Sequence, residues 1–147
     1  MKAGKRVLQQ LRALARAYEG LLDASAGDMR LNRTDRRALE VVASYSGLTA
    51  GELATRLQIT SGATTRVVGD LVKAGLATRV EDKEDRRRMR IEATPAGEAA
   101  HRRTWEPLAM RLSDLLEPYS DADRETVLGF LLSASQALAP DRTGVVD

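Results

Sequence analysis

Along most of the chain, apolar residues recur every three or four positions, the period of a helix that buries one face. Up to about residue 24, Val7, Leu8, Leu11, Leu14, Ala15, Tyr18, Leu21 and Leu22 make one stripe, with Lys5, Arg6, Arg12 and Arg16 off it. Such a stripe needs a cover, and the two C-terminal helices are expected to supply it. Asp23 to Asn32 is a small, polar connector containing Gly27. Thr34 is then placed as the N-cap of a second helix, with Asp35 complementing the dipole and Leu39, Val42 and Ala43 on the apolar side. Ser46-Gly47-Leu48 is a turn with a short extended piece.

Thr49 to Leu76 is two short amphipathic helices joined by a tight turn, a helix-turn-helix. Thr49 and Glu52 have the spacing of a capping box, and Leu53, Ala54 and Leu57 form the first apolar stripe. After Gln58-Ile59-Thr60, Ser61 is the expected N-cap of the next helix. There Thr64, Val67, Val68, Leu71 and Gly75 share one face, while Gly62, Thr65, Arg66, Gly69, Asp70 and Lys73 share the other. Ser, Gly, Thr and Thr are weak helix formers, so a purely structural helix gains nothing from starting with them. They do suit a close approach to phosphate and to base edges. The plain alternative is a solvated polar face.

The period then changes to two. Residues 77–80 and 89–93 alternate, with Val80, Met89, Ile91 and Ala93 as inward candidates, and predict a hairpin closed by the charged loop EDKEDRRR. A hairpin behind a recognition helix is a wing, whose tip arginines can enter a minor groove. Thr94-Pro95 starts the next helix. It carries Ala96, Ala99, Ala100, Leu108, Leu112, Leu115 and Leu116, with a kink or interruption expected at Pro107, at a cost of about 3 kcal/mol. After a break at Pro118, Ser120 and Asp123 cap a last helix bearing Val127, Leu128, Leu131, Ala134 and Leu138; Pro140 ends it and a frayed tail follows.

Composition narrows the chemistry. The 147 residues contain no cysteine, which excludes disulfides and thiolate metal sites, and no apolar run long enough for a membrane span or signal core, so a cytoplasmic protein is expected. The net charge of +2 is unevenly spread: Ser113 to Asp147 carries −5, leaving +7 for the first 112 residues. That asymmetry fits a nucleic-acid face with an acidic end remote from it. Neither an enzyme nor a cofactor is expected. His101 has no spaced partners for zinc, Gly62, Gly69 and Gly75 lie in a helical pattern, and the acids of 81–85 lack calcium-loop spacing.

The order LATRLQI, SGATTRVVGDLVKAGLATR, EDKEDRRRMRIEATPAG resembles the MarR (multiple antibiotic resistance regulator) family of winged-helix transcription factors. The family's wing pattern is met by Asp82, Asp85, Arg86 and Arg87, and its Thr-x-x-Gly lead-in to the next helix by Thr94 and Gly97. The resemblance implies a mainly α (α+β) fold: a winged helix-turn-helix with N- and C-terminal helices forming a dimerisation domain. The expected division is 1–30 for the N-terminal dimerisation helix, 31–94 for the DNA-binding domain, 95–140 for the C-terminal dimerisation helices and 141–147 for a tail.

The implied function is that of a homodimeric regulator, a repressor, reading a pseudo-palindromic double-stranded DNA operator and released by a small aromatic or phenolic effector. The alternative is a winged-helix module that binds protein instead. Ser61, Gly62, Thr64, Thr65 and Arg66 are the recognition-helix candidates, Thr64 least because it also falls on the inward stripe. Arg66 is the residue suited to guanine, and Thr49 and Thr60 are suited to phosphate. Arg86, Arg87 and Arg88 are the wing candidates, and Asp70 and Asp85 are carboxylates that orient arginines. The family pattern usually has an aromatic residue near position 36, where this chain has Arg36. The residues of an effector pocket therefore stay open, although Arg16, Tyr18, Arg36, Tyr45 and Trp105 could line a cleft.

Overall fold

A computed structural model describes residues 2–138 as six helices and one hairpin. In chain order these are α1 (Lys2–Asp28), α2 (Arg33–Ser44), α3 (Ala50–Leu57), α4 (Ser61–Lys73), β1 (Ala77–Glu81), β2 (Met89–Ala93), α5 (Pro95–Leu116) and α6 (Asp121–Leu138). The expected stop at Pro140 and the tail lie outside the described residues. The chain divides into two compact units, one ending at Thr104 and the other beginning at Trp105.

The first unit is built around α2. Ala38, Leu39 and Val42 meet Leu53 and Leu57 of α3, Val67, Val68 and Leu71 of α4, Ala77, Ile91 and Ala100 in one buried cluster. The α3–α4 turn closes because Gln58 takes the left-handed conformation, φ +55°, and Ile59 N–H then reaches the Ala54 carbonyl at 3.1 Å. At the end of α4 a glycine does the same work: Gly75 has φ +74°, its N–H donates to Val72 at 3.0 Å and Leu76 N–H to Leu71 at 2.9 Å. β1 and β2 pair antiparallel from Ala77↔Ala93 to Glu81↔Met89, and Leu48 adds a third, single-residue bridge to Ile91.

Several expected boundaries move. α1 runs through Asp23–Asp28, because Ser25 is buried and held from α2: its hydroxyl donates to the Leu22 carbonyl and accepts from Arg36 Nε at 2.8 Å. Asn32, not Thr34, caps α2, its Oδ1 accepting from Asp35 N–H. Thr60, not Ser61, caps α4, accepting from Ala63 N–H. The Thr49–Glu52 capping box forms as expected. In the hairpin Met89 is exposed, and the register puts Val80 on the face opposite Ile91. Ile91 is buried as expected and Ala93 packs against the core, and Ala77 is buried beside them. Pro107 does not interrupt α5, which stays helical around it, since proline removes one ladder hydrogen bond and leaves the rest.

The start of α5 is set very close to the end of α4. Thr94 N–H donates to the Leu76 carbonyl, Thr94 Oγ1 donates to the Gly75 carbonyl at 2.6 Å, and the same oxygen accepts from Gly97 N–H. A methyl on Gly97 would stand 2.0 Å from the Leu76 oxygen, an atom already fixed by hydrogen bonding. In the second unit, α6 has no buried residue in the single chain, and Leu115, Leu128, Leu132 and Leu138 are exposed. The apolar first half of α1 is also open, with Val7, Leu8 and Leu14 exposed.

Two outcomes follow. Gly97→Ala should lower unfolding free energy by about 2–4 kcal/mol through overpacking against backbone, and denaturant melts check this; a loss no larger than that of an exposed Gly→Ala would show the seam is loose. His101 is the second case: burial lowers its pKa from 6.5, and Arg36 lowers it further against the opposing pull of Glu40. A lowered pKa means the fold favours the neutral ring, so stability is lost as pH falls below 6.5 toward the folded value. Unfolding curves between pH 7.5 and about 5 should slope accordingly, and His101→Gln should flatten that part of the slope.

Candidate nucleic-acid interface

Helix α4 presents two faces of different character. Thr64, Val67, Val68 and Leu71 are buried, whereas Ser61, Gly62, Thr65 and Arg66 are exposed together at its N-terminal half. A Cβ added to Gly62 would meet nothing within 4 Å, so this glycine keeps a surface open rather than fitting a neighbour. Thr64 is a correction. It is 1% exposed, and its hydroxyl donates to the Thr60 carbonyl at 2.9 Å, which leaves it no surface for a groove. Thr65 makes the equivalent bond to the Ser61 carbonyl at 3.0 Å but remains on the outside.

Arg66 is tethered. Its Nη1 donates to Asp70 Oδ2 at 2.9 Å, one turn on, and lies 3.9 Å from Asp35 Oδ1 on α2. The structure thus pairs Asp70, expected to orient an arginine, with Arg66. Thr49 and Thr60 are both N-caps, each accepting one backbone N–H from its own helix. Their hydroxyl hydrogens remain available to an acceptor beyond the helix end.

The wing is braced at its base. Asp82 is 5% exposed: Oδ1 accepts from the N–H groups of Glu84 and Asp85, and Oδ2 from Arg90 Nε at 2.6 Å. Arg90 Nη1 then donates to the Gly47 carbonyl at 3.0 Å, tying the hairpin to the extended piece before α3. Backbone N–H donors and Arg90 together hold the Asp82 carboxyl below its usual pKa. Beyond this base, Asp85 accepts from Arg87 N–H at 3.0 Å and pairs loosely with Arg88 at 3.8 Å, so it shapes the tip. Arg86, Arg87 and Arg88 are all exposed, and among the described residues neither Arg86 nor Arg87 is engaged in an ion pair. Sequence reasoning missed Arg90. The strand pattern gave no signal for it, since Arg90 falls between the inward candidates Met89 and Ile91 and meets Asp82 only in the folded hairpin.

Among residues suggested for an effector cleft, Tyr18 lines a hollow of ≈ 270 Å³ with Leu22, Arg33, Arg37, Glu40 and Arg56. Its hydroxyl donates to Glu40 at 3.0 Å, and burial with the Glu40 charge raises its pKa to about 12. Tyr45 lines a separate hollow, under the Arg56 guanidinium, which stacks 4.0 Å above its ring. Arg36 is 1% exposed, with burial lowering its pKa. Arg16 is on the exposed side of α1, and Trp105 begins the second unit.

The MarR family model matches residues 31–88, which span α2 through the wing tip. An uncharacterized HTH-type transcriptional regulator of Bacillus subtilis strain 168, YcgE, is 28% identical over 134 residues, covering 91% of this chain and 87% of that protein. Over residues 31–88 the chain is similar to the MarR family. Solved MarR-like folds superpose along it: a mutant MepR from S. aureus at TM-score 0.75 and 19% identity, covering 90% of this chain and 96% of that one. An S. aureus MepR–DNA complex gives TM-score 0.54 at 19% identity, with 86% and 98% covered. The described residues thus have the winged-helix fold of MarR-type proteins, with the same small sheet and six helices. Among the described residues no helix is long and apolar enough to cross a membrane.

Asp82→Asn should loosen the wing without unfolding the unit. Amide exchange of Glu84, Asp85 and Arg88 should quicken several-fold while the amides of α2 and α4 keep their protection. Acid should do the same to the native protein. A depressed carboxylate pKa gives stability that is present above the ordinary value of 3.8 and lost as pH falls through the lower, folded value. Unchanged wing exchange in Asp82→Asn would show that strand pairing alone sets the tip.

Proposed function

We propose that this MarR-type regulator is a cytoplasmic homodimer that recognises a pseudo-palindromic operator in double-stranded DNA and represses from it. The observation that carries the reading is the division of α4. One face is fully committed to the core, and the other offers small residues followed by Arg66, with three exposed arginines on the adjoining wing. In this reading α4 enters the major groove, where Ser61, Gly62 and Thr65 allow close approach and the Arg66 fork meets guanine O6 and N7. Thr49 and Thr60, at the N-termini of α3 and α4, donate to phosphates. Arg86, Arg87 and Arg88 supply charge to the neighbouring minor groove.

The dimer is supported by what the single chain leaves uncovered: α6 buries no residue, and α1 exposes Val7, Leu8 and Leu14. A second copy covering these faces would set two recognition helices about 34–36 Å apart, one turn of DNA. We place the dimerisation segments at 1–30 and 95–140 and the reading head at 31–94. Release by a small aromatic or phenolic anion is supported by the hollow beside Tyr18, whose three arginines and apolar wall suit such a molecule. Binding there would weaken DNA affinity only by favouring one spacing of the heads over another.

Selection from a random duplex library at two salt concentrations tests the reading. An inverted repeat should be enriched, with the log of affinity falling about 0.9 per neutralised phosphate against log salt. Arg66→Ala should cost about 1–3 kcal/mol at one base position of each half-site and relax the preference there. Arg87→Ala should weaken all sequences alike and reduce the salt slope by about 1 per half-site. No enriched sequence, with binding lost at modest salt, would leave a winged-helix module that acts on a protein partner.

A further inference from the structure

Arg66 has two carboxylate neighbours of unequal kind. Asp70 is a surface group, its side chain 45% exposed, on the same helix and within water's reach. Asp35 belongs to α2 and its side chain is only 6% exposed. Its Oδ1 has no hydrogen-bond partner among the described residues, while its own N–H donates to the Asn32 cap. A buried carboxylate oxygen is costly unless a cation answers it. The cation that does so is Arg66, 3.9 Å away and across a helix–helix contact.

We propose that Asp35 is a positioning residue for base reading: together with Asp70 it holds the Nη1 side of the Arg66 guanidinium against α2, leaving Nε and Nη2 to face an acceptor pair on DNA. Neither of those nitrogens has a partner among the described residues. The charge on Asp35 is fixed in place by α2, so the arginine is restrained by a helix that does not itself touch the groove. This rests on the DNA-reading proposal above. It adds that specificity at the base read by Arg66 is set partly from the core. Burial, and then the charge of Asp70, raise the Asp35 pKa, while Arg66 and then the backbone N–H of Asn32 oppose them, so Arg66 is the one cation among the groups that favour the carboxylate.

The test has a part without DNA and a part with it. In the free protein, ¹⁵N relaxation of the Arg66 Nε–H should show the side chain distinctly more mobile in Asp35→Asn than in the native protein; an unchanged order parameter would overturn the restraint. In library selection, Asp35→Asn should reduce the preference at one base position by about 3–10-fold and have no such effect in an Arg66→Ala background. A uniform tightening on all sequences would also overturn the proposal, since it is what mere loss of a negative charge near phosphate produces. If Asp35→Asn does not fold, the pair is read from the other side: the Asp35 carboxyl should titrate higher in Arg66→Ala than in the native protein, and an unmoved titration counts against it. Where the native protein enriches no sequence, the DNA reading fails and the positioning role falls with it. Where it enriches a site that Asp35→Asn leaves intact, only the positioning role falls.

Discussion

The close approach of Gly97 to the Leu76 carbonyl constrains the first unit. At this one point the turn that joins α4 to β1 and the start of α5 share a space in which a single methyl would not fit. Thr94 fastens the same place by bonding the Gly75 and Leu76 carbonyls while capping its own helix. The angle between α4 and the hairpin is therefore fixed by backbone rather than by adaptable side chains, and a groove-reading device needs that fixity. The bracing of Asp82 by Arg90, and of Arg90 by Gly47, extends it to the other end of the strands.

Much of this was legible in the sequence, because it rests on local rules. The capping box at Thr49, the glycine stop at Gly75, proline at the first turn of α5 and the inward stripe of α4 each depend on residues a few positions apart. Errors came where two local signals competed. Thr60 and Ser61 are both hydroxyl residues next to a helix start, and the cap fell to Thr60, the one in extended conformation. Asn32 displaced Thr34 in the same way. Arg36 was misplaced for another reason. Nothing nearby in the chain announces that an arginine in a helix start will be buried, because its acceptor, Ser25, is eleven residues back in a stretch that looked like a connector. Asp35 and Arg90 likewise depend on partners brought together only by the fold.

The two halves of the chain differ in how they are stabilised. The first unit has a closed apolar cluster with nearly every polar end capped. In the second, α6 has no buried residue, although its Ser120–Asp123 start is well formed. Local hydrogen bonding can therefore define that helix, but its packing calls for another surface, which the proposed second copy supplies.

The anchoring of α1 has a mechanical consequence. Its 27 residues make a rod of about 40 Å, held to α2 through Tyr18–Glu40 and Arg36–Ser25 in its C-terminal part, while residues 2–10 are exposed throughout. A rod gripped near one end is a lever. A tilt of about 5° at the grip moves the far end, about 24–35 Å away, by roughly 2–3 Å, more than the tolerance of a packed interface. Small changes around Arg36 would thus be multiplied along α1.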